Sequence, residues 1–220
     1  MGIYAELKST KKTAADDDYL VYYTYRKLST FLSAFFIKLK VSANFITLFS
    51  MLADFLVIYL MYTGNWILAG ILVHLAPLLD CSDGEVARYN TRNIEEEVYK
   101  KKYGGYLDEV LGTIGFSLVI FFTGYLIGNF WVGCIAVFGL FMMLVTSLTA
   151  QNLFKNKEQL AKNYERKFFG KLKGRVGFGF GVQRIIVSVA ILFHSPNILL
   201  FFAILANAFW ILKFWIYRRQ

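Results

Sequence analysis

The chain has 220 residues, 57% of them hydrophobic and 18% aromatic, with a mean hydropathy of +0.48 and a formal net charge of +9. That is too apolar for an ordinary soluble domain, and the apolar residues come in long blocks, the pattern of a polytopic membrane protein. Two cysteines, Cys81 inside an acidic stretch and Cys134 inside an apolar block, are read as free thiols and not as a disulfide framework.

The first eighteen residues are polar and charged, which does not match a cleavable signal peptide. The first apolar block would then act as the uncleaved insertion signal. From about Asp16 to Lys40 apolar side chains recur at helical spacing: Leu20, Val21, Tyr25, Leu28, Phe31, Leu32, Phe35 and Leu39. Arg26, Lys27, Lys38 and Lys40 interrupt the stretch, so the expectation is an amphipathic helix lying on the bilayer surface, not a span. Asp16, Asp17 and Asp18 would stand at its N-terminus, where the helix dipole favours negative charge.

Six apolar blocks follow, at about 43–62, 66–79, 106–127, 130–154, 176–193 and 198–216. Blocks of about 20 residues suit a hydrocarbon core about 30 Å thick. The second is short if it ends at Leu79, so a helix is expected to continue past it at the membrane edge. The reading is all-α: one membrane domain over 1–220, an interfacial helix at about 16–40 and a six-helix transmembrane bundle at about 43–216.

The basic residues set the topology. Seven Lys or Arg precede the first block, five lie between blocks two and three, eight between blocks four and five, and three at the C-terminal end. The connections Thr63 to Asn65, Gly128 to Asn129 and His194 to Asn197 contain none. Every Lys and Arg except Arg184 thus falls on one side, which the positive-inside rule makes cytoplasmic, together with both termini. Charge spread in this way suits anionic headgroups and phosphorylated substrates and points away from nucleic acid.

Block two runs without charge from Trp66 to Leu79 and straight into Asp80-Cys81-Ser82-Asp83-Gly84-Glu85-Val86-Ala87-Arg88. At about 100° per residue Asp80, Asp83, Gly84, Ala87 and Arg88 share one helical arc, while Ser82 and Glu85 point elsewhere. Two carboxylates on one face at the end of an apolar helix are costly unless a cation joins them. A divalent metal with oxygen ligands is the natural candidate. Block three opens with Gly104-Gly105-Tyr106-Leu107-Asp108-Glu109-Val110-Leu111-Gly112, which places Gly104, Asp108 and Gly112 on one face at the same level. Asp108 can join Asp80 and Asp83 if the two helices are neighbours, and three carboxylates could hold one or two Mg²⁺ or Mn²⁺ ions.

The pattern Asp-x-x-Asp-Gly-x-x-Ala-Arg, then Gly-x-x-x-Asp, resembles the signature of the CDP-alcohol phosphotransferases. Ala43-Asn44-Phe45-Ile46-Thr47 is similar to the family's Pro-Asn-x-Ile-Thr, with alanine for proline. The resemblance implies an integral membrane enzyme of phospholipid synthesis. It would move a phosphatidyl or related group from a CDP-linked donor, foremost CDP-diacylglycerol, to an alcohol and release CMP. It also implies roles. Asp80, Asp83 and Asp108 would bind metal, and Gly84 and Ala87 would let CDP approach the helix. Arg88 would favour phosphate charge or serve topology alone. Asn44 and Thr47 would shape the nucleotide pocket or cap the first span. A homodimer stays open.

Two departures stand out. Fifteen residues separate Arg88 from Gly104, including Glu95-Glu96-Glu97 and Lys100-Lys101-Lys102, which reads as a solvated cytoplasmic insertion. The family's fourth aspartate, its proposed base, falls at Gly112. Glu109 or the intramembrane Asp54 could replace it, the metal alone could activate the acceptor, or activity could be lost. Arg184, alone among Lys and Arg inside a span, is read as an acceptor-phosphate ligand, as the partner of an acid such as Asp54, or as snorkelling to the cytoplasmic edge. Lys171, Lys173 and Arg175 are read as phosphate ligands or as a topological charge run. His74 is expected to be packed and hydrogen-bonded. Two other classes compete with the enzyme: a catalytically silent member of the same fold, and a small transporter using Asp54 and Arg184.

Overall fold

The computed structural model describes residues 4, 7, 19–91, 98–153 and 178–218. Among them every regular element is a helix: α1 (Tyr19–Tyr23), α2 (Tyr25–Lys38), α3 (Ala43–Tyr62), α4 (Trp66–Leu72), α5 (Leu75–Thr91), α6 (Val98–Leu126), α7 (Phe130–Leu153), α8 (Phe180–Leu192) and α9 (Pro196–Arg218). The all-helical expectation holds for these residues. Four stretches are long and apolar enough to cross a bilayer: Ala43–Tyr62, Trp66–Asn90, Asp108–Leu126 and Pro196–Trp215. Phe130–Thr146, the first part of the 24-residue α7, and Phe180–Leu192 are shorter apolar stretches. At a rise of 1.5 Å per residue α8 covers only about 20 Å. Six full-length spans are thus an expectation that these helices meet in part.

The three connections without Lys or Arg are tight turns. Gly64 and Gly128 take φ of +83° and +84°, the left-handed conformation that ends a helix cheaply in glycine. Behind them Asn65 N–H donates to the Leu60 carbonyl at 2.8 Å, and Asn129 N–H to that of Gly124 at 2.8 Å. His194 makes the third such turn with φ of +48°. Turns this short force antiparallel neighbours, so α3 lies along α4, α6 along α7, and α8 along α9. Long-range packing then sets α3 between α5 and α6, α9 on α7, and α8 against α4. A Cβ on Gly124 would lie 2.6 Å from the Gly133 Cα, so the α6–α7 approach requires glycine there.

Most buried apolar side chains form one cluster, centred on Val57, Val73, Phe116, Ile120, Ala136, Ile191 and Phe202. It occupies the part of the bundle away from the acidic stretch. Block two is not one straight helix. Pro77 has no N–H, and its ring displaces the carbonyl four residues back, that of Val73. The helix breaks at Val73 and His74, between α4 and α5. Past the break α5 continues to Thr91, as the short second block requires, and α6 begins ten residues before Asp108. Much of the expected insertion therefore lengthens two helices. Its middle, residues 92–97 with the glutamate triplet Glu95, Glu96 and Glu97, lies outside the described residues, as do Asp16, Asp17 and Asp18.

Helix α2 turns a polar stripe inward, beside the buried Tyr25 and the half-buried Leu32, Phe36 and Ile37. Arg26, Ser29, Thr30 and Ser33 are buried, while Leu28 and Phe31 are 61% and 65% exposed and Phe35 and Leu39 are also exposed. The buried stripe packs on α5. Ser29 and Ser33 donate to the two carboxylate oxygens of Glu85 at 2.9 and 2.8 Å, and Arg26 Nη1 lies 3.8 Å from Glu85 Oε1. Arg26 also donates to the Cys81 carbonyl at 3.3 Å. A charge that is 2% exposed is tolerable because each carboxylate oxygen accepts from a serine and a guanidinium stands beside it. The outward apolar face suits lipid.

Candidate active site

Helix α5 presents two different faces. Cys81, Ser82, Glu85 and Val86 are fully buried; Asp80, Gly84, Ala87 and Arg88 are half-buried, and Asp83 is buried between them. The arc read from the sequence is therefore the more accessible face, and Glu85 points away from it into the α2 socket.

Three helices build the acidic centre. Asp80 and Asp83 come from α5 and Asp108 from α6, and each offers a carboxylate oxygen within 4.8 Å of the others. From α3, Thr47 Oγ1 donates to Asp83 Oδ2 at 2.5 Å. This bond orients the Asp83 carboxylate. Gathering three like charges costs free energy unless a cation offsets it. An all-carboxylate set is what hard divalent ions such as Mg²⁺ and Mn²⁺ take, so the residues fit such an ion.

Other expected site residues fall into place around this centre. Gly84 faces the Arg88 guanidinium: a Cβ there would lie 3.3 Å from Arg88 Nη1. Asn44 is exposed in the first turn of α3, but the cap of that helix is Ser42, whose Oγ accepts from Phe45 N–H at 3.4 Å. Thr47 is not a cap either; it holds Asp83. Gly112 lies across from Asp80, with its notional Cβ 3.9 Å from Asp80 Oδ1. Glu109 is exposed and shares a cavity of about 220 Å³ with Gly112. The rest of that cavity is lined by Thr113 and Phe116 of α6, Leu140, Met143 and Leu144 of α7, Phe180 and Gln183 of α8, and Lys213 of α9.

Asp54 and Arg184 form a separate centre. Arg184 Nη1 and Nη2 donate to Asp54 Oδ1 and Oδ2 at 2.5 and 3.0 Å, and both residues are 1% exposed. The guanidinium lies 4.1 Å from the Phe116 ring centroid and 5.1 Å from that of Phe180. Nη1 also reaches the Val73 carbonyl at 3.4 Å, the one that Pro77 leaves without its helical donor. Of the readings open for Arg184, the structure shows pairing with Asp54. The pair also removes Asp54 as a ready substitute for the fourth acid. Gly115 makes room for it, since a Cβ there would lie 2.8 Å from Asp54 Oδ2. His74, at the same break, shares a 2.6 Å hydrogen bond with the Tyr25 hydroxyl. Lys171, Lys173 and Arg175 lie outside the described residues.

The Glu85 socket, the Thr47–Asp83 bond and the cavity walls from α7 to α9 were not read from the sequence. The socket left a trace: Arg26, Ser29, Thr30 and Ser33 form a polar stripe at helical spacing.

With this geometry in hand, the family model for CDP-alcohol phosphatidyltransferase matches residues 40–216. The chain belongs to that family. The match begins just before α3 and takes in the acidic centre, the cavity and the Asp54–Arg184 pair. The family is one of transferases that move a phospho-group from a CDP-alcohol. No curated protein matches the chain.

Proposed function

We propose that this chain transfers a phosphatidyl or related phospho-group from a CDP-linked donor, foremost CDP-diacylglycerol, to an alcohol in phospholipid synthesis, with release of CMP, at the cytoplasmic edge of the membrane. The observation that carries this reading is the convergence of Asp80, Asp83 and Asp108 from two helices to within 4.8 Å, in a chain of this family. These residues would hold Mg²⁺ or Mn²⁺, which when bound offsets the negative charge of the phosphates.

The chain's own residues supply the rest. Thr47 keeps Asp83 oriented. Gly84 and Ala87 leave room beside α5 for the CDP moiety, with Asn44 at the rim of that space and Arg88 favouring phosphate charge. The acceptor oxygen forms a bond to the donor's β-phosphorus, and the bond from that phosphorus to the CMP oxygen breaks. CMP leaves with the electron pair. The hydroxyl proton passes to Glu109, which borders the place where the family's base is replaced by Gly112.

Purified protein with Mg²⁺ or Mn²⁺ and CDP-diacylglycerol should release CMP when an acceptor is present, and Asp108→Asn should abolish the release. One observation favours a second reading, a silent member of the family that only binds: Gly112 brings no acid opposite Asp80. Absence of CMP across a broad acceptor panel, with activity gained in Gly112→Asp, would establish that reading instead.

A further inference from the structure

Gly112 is unlike the other tightly placed helical glycines. A Cβ on Gly70, Gly115, Gly124 or Gly139 would come within 2.5 to 2.8 Å of a neighbour, so a side chain at any of them would force that neighbour to shift. On Gly112 it would meet, among the described residues, only Asp80 Oδ1 at 3.9 Å, an ordinary contact. Nor does the backbone need glycine there, because Gly112 lies within regular α6. A glycine costs a helix about 1 kcal/mol relative to alanine. No packing in the described structure offsets that cost. What glycine does provide is open space, and that space joins Asp80 to the cavity of about 220 Å³.

The walls of this cavity are graded. Glu109 and Lys213 stand toward the ends of α6 and α9 that the charge pattern assigns to the cytoplasm. Phe116, Leu140, Met143 and Leu144 lie further along α6 and α7, and Phe180 closes one side. Glu109 and Lys213 are the one acidic and the one basic side chain in the wall, so the cavity offers an anionic acceptor no net charge. Thr113 and Gln183 are the uncharged polar side chains of the wall, so a polyol would turn its remaining hydroxyls against Phe116, Leu140, Met143, Leu144 and Phe180, where their lost hydration is not replaced. A carbon skeleton suits those walls.

We infer that the notch at Gly112 admits the acceptor alcohol, and that the acceptor is an uncharged amphiphile whose hydroxyl reaches Asp80 while its apolar body occupies the cavity beneath. This rests on the CDP-dependent transfer proposed above, and the bond changes are those given there. Gly112 is then a specificity position: the missing side chain is the space the substrate fills.

The test uses the full chain in lipid nanodiscs with CDP-diacylglycerol and Mg²⁺. CMP release is compared for glycerol, 1-O-butylglycerol and 1-O-octylglycerol, and for myo-inositol, glycerol 3-phosphate and L-serine. Wild type should prefer the alkylglycerols, with kcat/KM rising at least about tenfold from glycerol to octylglycerol; one buried CH₂ is worth about fourfold. Gly112→Leu should flatten that rise while its unfolding temperature and its Mn²⁺-dependent affinity for CDP stay at wild-type values. Leu144→Trp, which fills the cavity from the opposite wall, should flatten it too. Bilayer partitioning of each acceptor is common to all variants, so the comparison isolates the cavity. Preference for inositol, serine or glycerol 3-phosphate overturns the inference and leaves the transfer reaction standing, as does an undiminished rise in both variants. No CMP from any acceptor overturns the reaction itself, and the inference with it.

Discussion

Two groups of buried or half-buried acids in this molecule are built on opposite principles. Asp54 and Glu85 meet their donors directly: Asp54 takes both guanidinium nitrogens of Arg184, and Glu85 takes Ser29 and Ser33 with Arg26 nearby. Asp80, Asp83 and Asp108 are instead drawn toward one another, to within 4.8 Å. An acid that serves the fold is neutralised by the fold. Acids brought together against their own repulsion mark where a ligand charge is to be placed. The two groups are physically linked through α5 and α3, so the neutralised acids hold the others in position.

Substitutions should separate the two groups sharply. The largest effect is expected at the acidic centre. Asp80→Asn or Asp108→Asn should lower CMP release by at least about 10²- to 10³-fold, the scale on which charge stabilisation of a transition state acts, with the unfolding temperature held or raised. A raised temperature is the informative part, because removing one of three like charges relieves repulsion. Next comes the intramembrane pair. Arg184→Ala leaves Asp54 buried and should cost about 3–5 kcal/mol, read as a lower unfolding temperature in detergent, while Asp54→Leu with Arg184→Leu together should cost less than either truncation alone. A double replacement as damaging as the sum of the singles would break the comparison.

Smaller effects sharpen it. Glu85→Gln should cost about 1–3 kcal/mol by weakening the bonds from Ser29 and Ser33, and limited proteolysis should find α2 released before the rest of the bundle. Thr47→Val leaves the ligands in place but frees the Asp83 carboxylate. It should weaken Mn²⁺ affinity by about 10- to 100-fold with little change in stability, the pattern of a positioning residue. If Thr47→Val instead lowers stability and spares the metal, the hydroxyl belongs with the structural group.

The sequence made the acidic centre legible because its residues are local. Asp80 and Asp83 are three apart, and Asp108 follows at the start of the next block, so spacing and a hydrophobicity profile suffice to bring them together. The helical class and the charge-free turns were legible for the same reason. What spacing does not carry is the pairing of distant faces. Arg184 and Asp54 are 130 positions apart, and more than one role for Arg184 fitted the sequence. The inward polar stripe of α2 was obscured because its apolar residues read as the face that would matter, and of these Leu28, Phe31 and Phe35 face outward. The break at Val73 and His74 was implicit in Pro77, yet the arginine that uses the freed carbonyl comes from a helix placed only by tertiary packing. Gly112 was visible as a departure from the family's pattern; that it borders a cavity became apparent only with α7, α8 and α9 in place.

The claim on which the rest depends is that Asp80, Asp83 and Asp108 form one divalent-cation site that also engages CDP. Manganese binding followed by electron paramagnetic resonance on the purified chain, with and without CDP, tests it most directly. The account predicts bound Mn²⁺ whose spectrum changes on adding CDP, and loss of that binding in both Asp80→Asn and Asp108→Asn while Glu85→Gln retains it. Manganese binding that survives both substitutions, or that is lost only in Glu85→Gln, would contradict it.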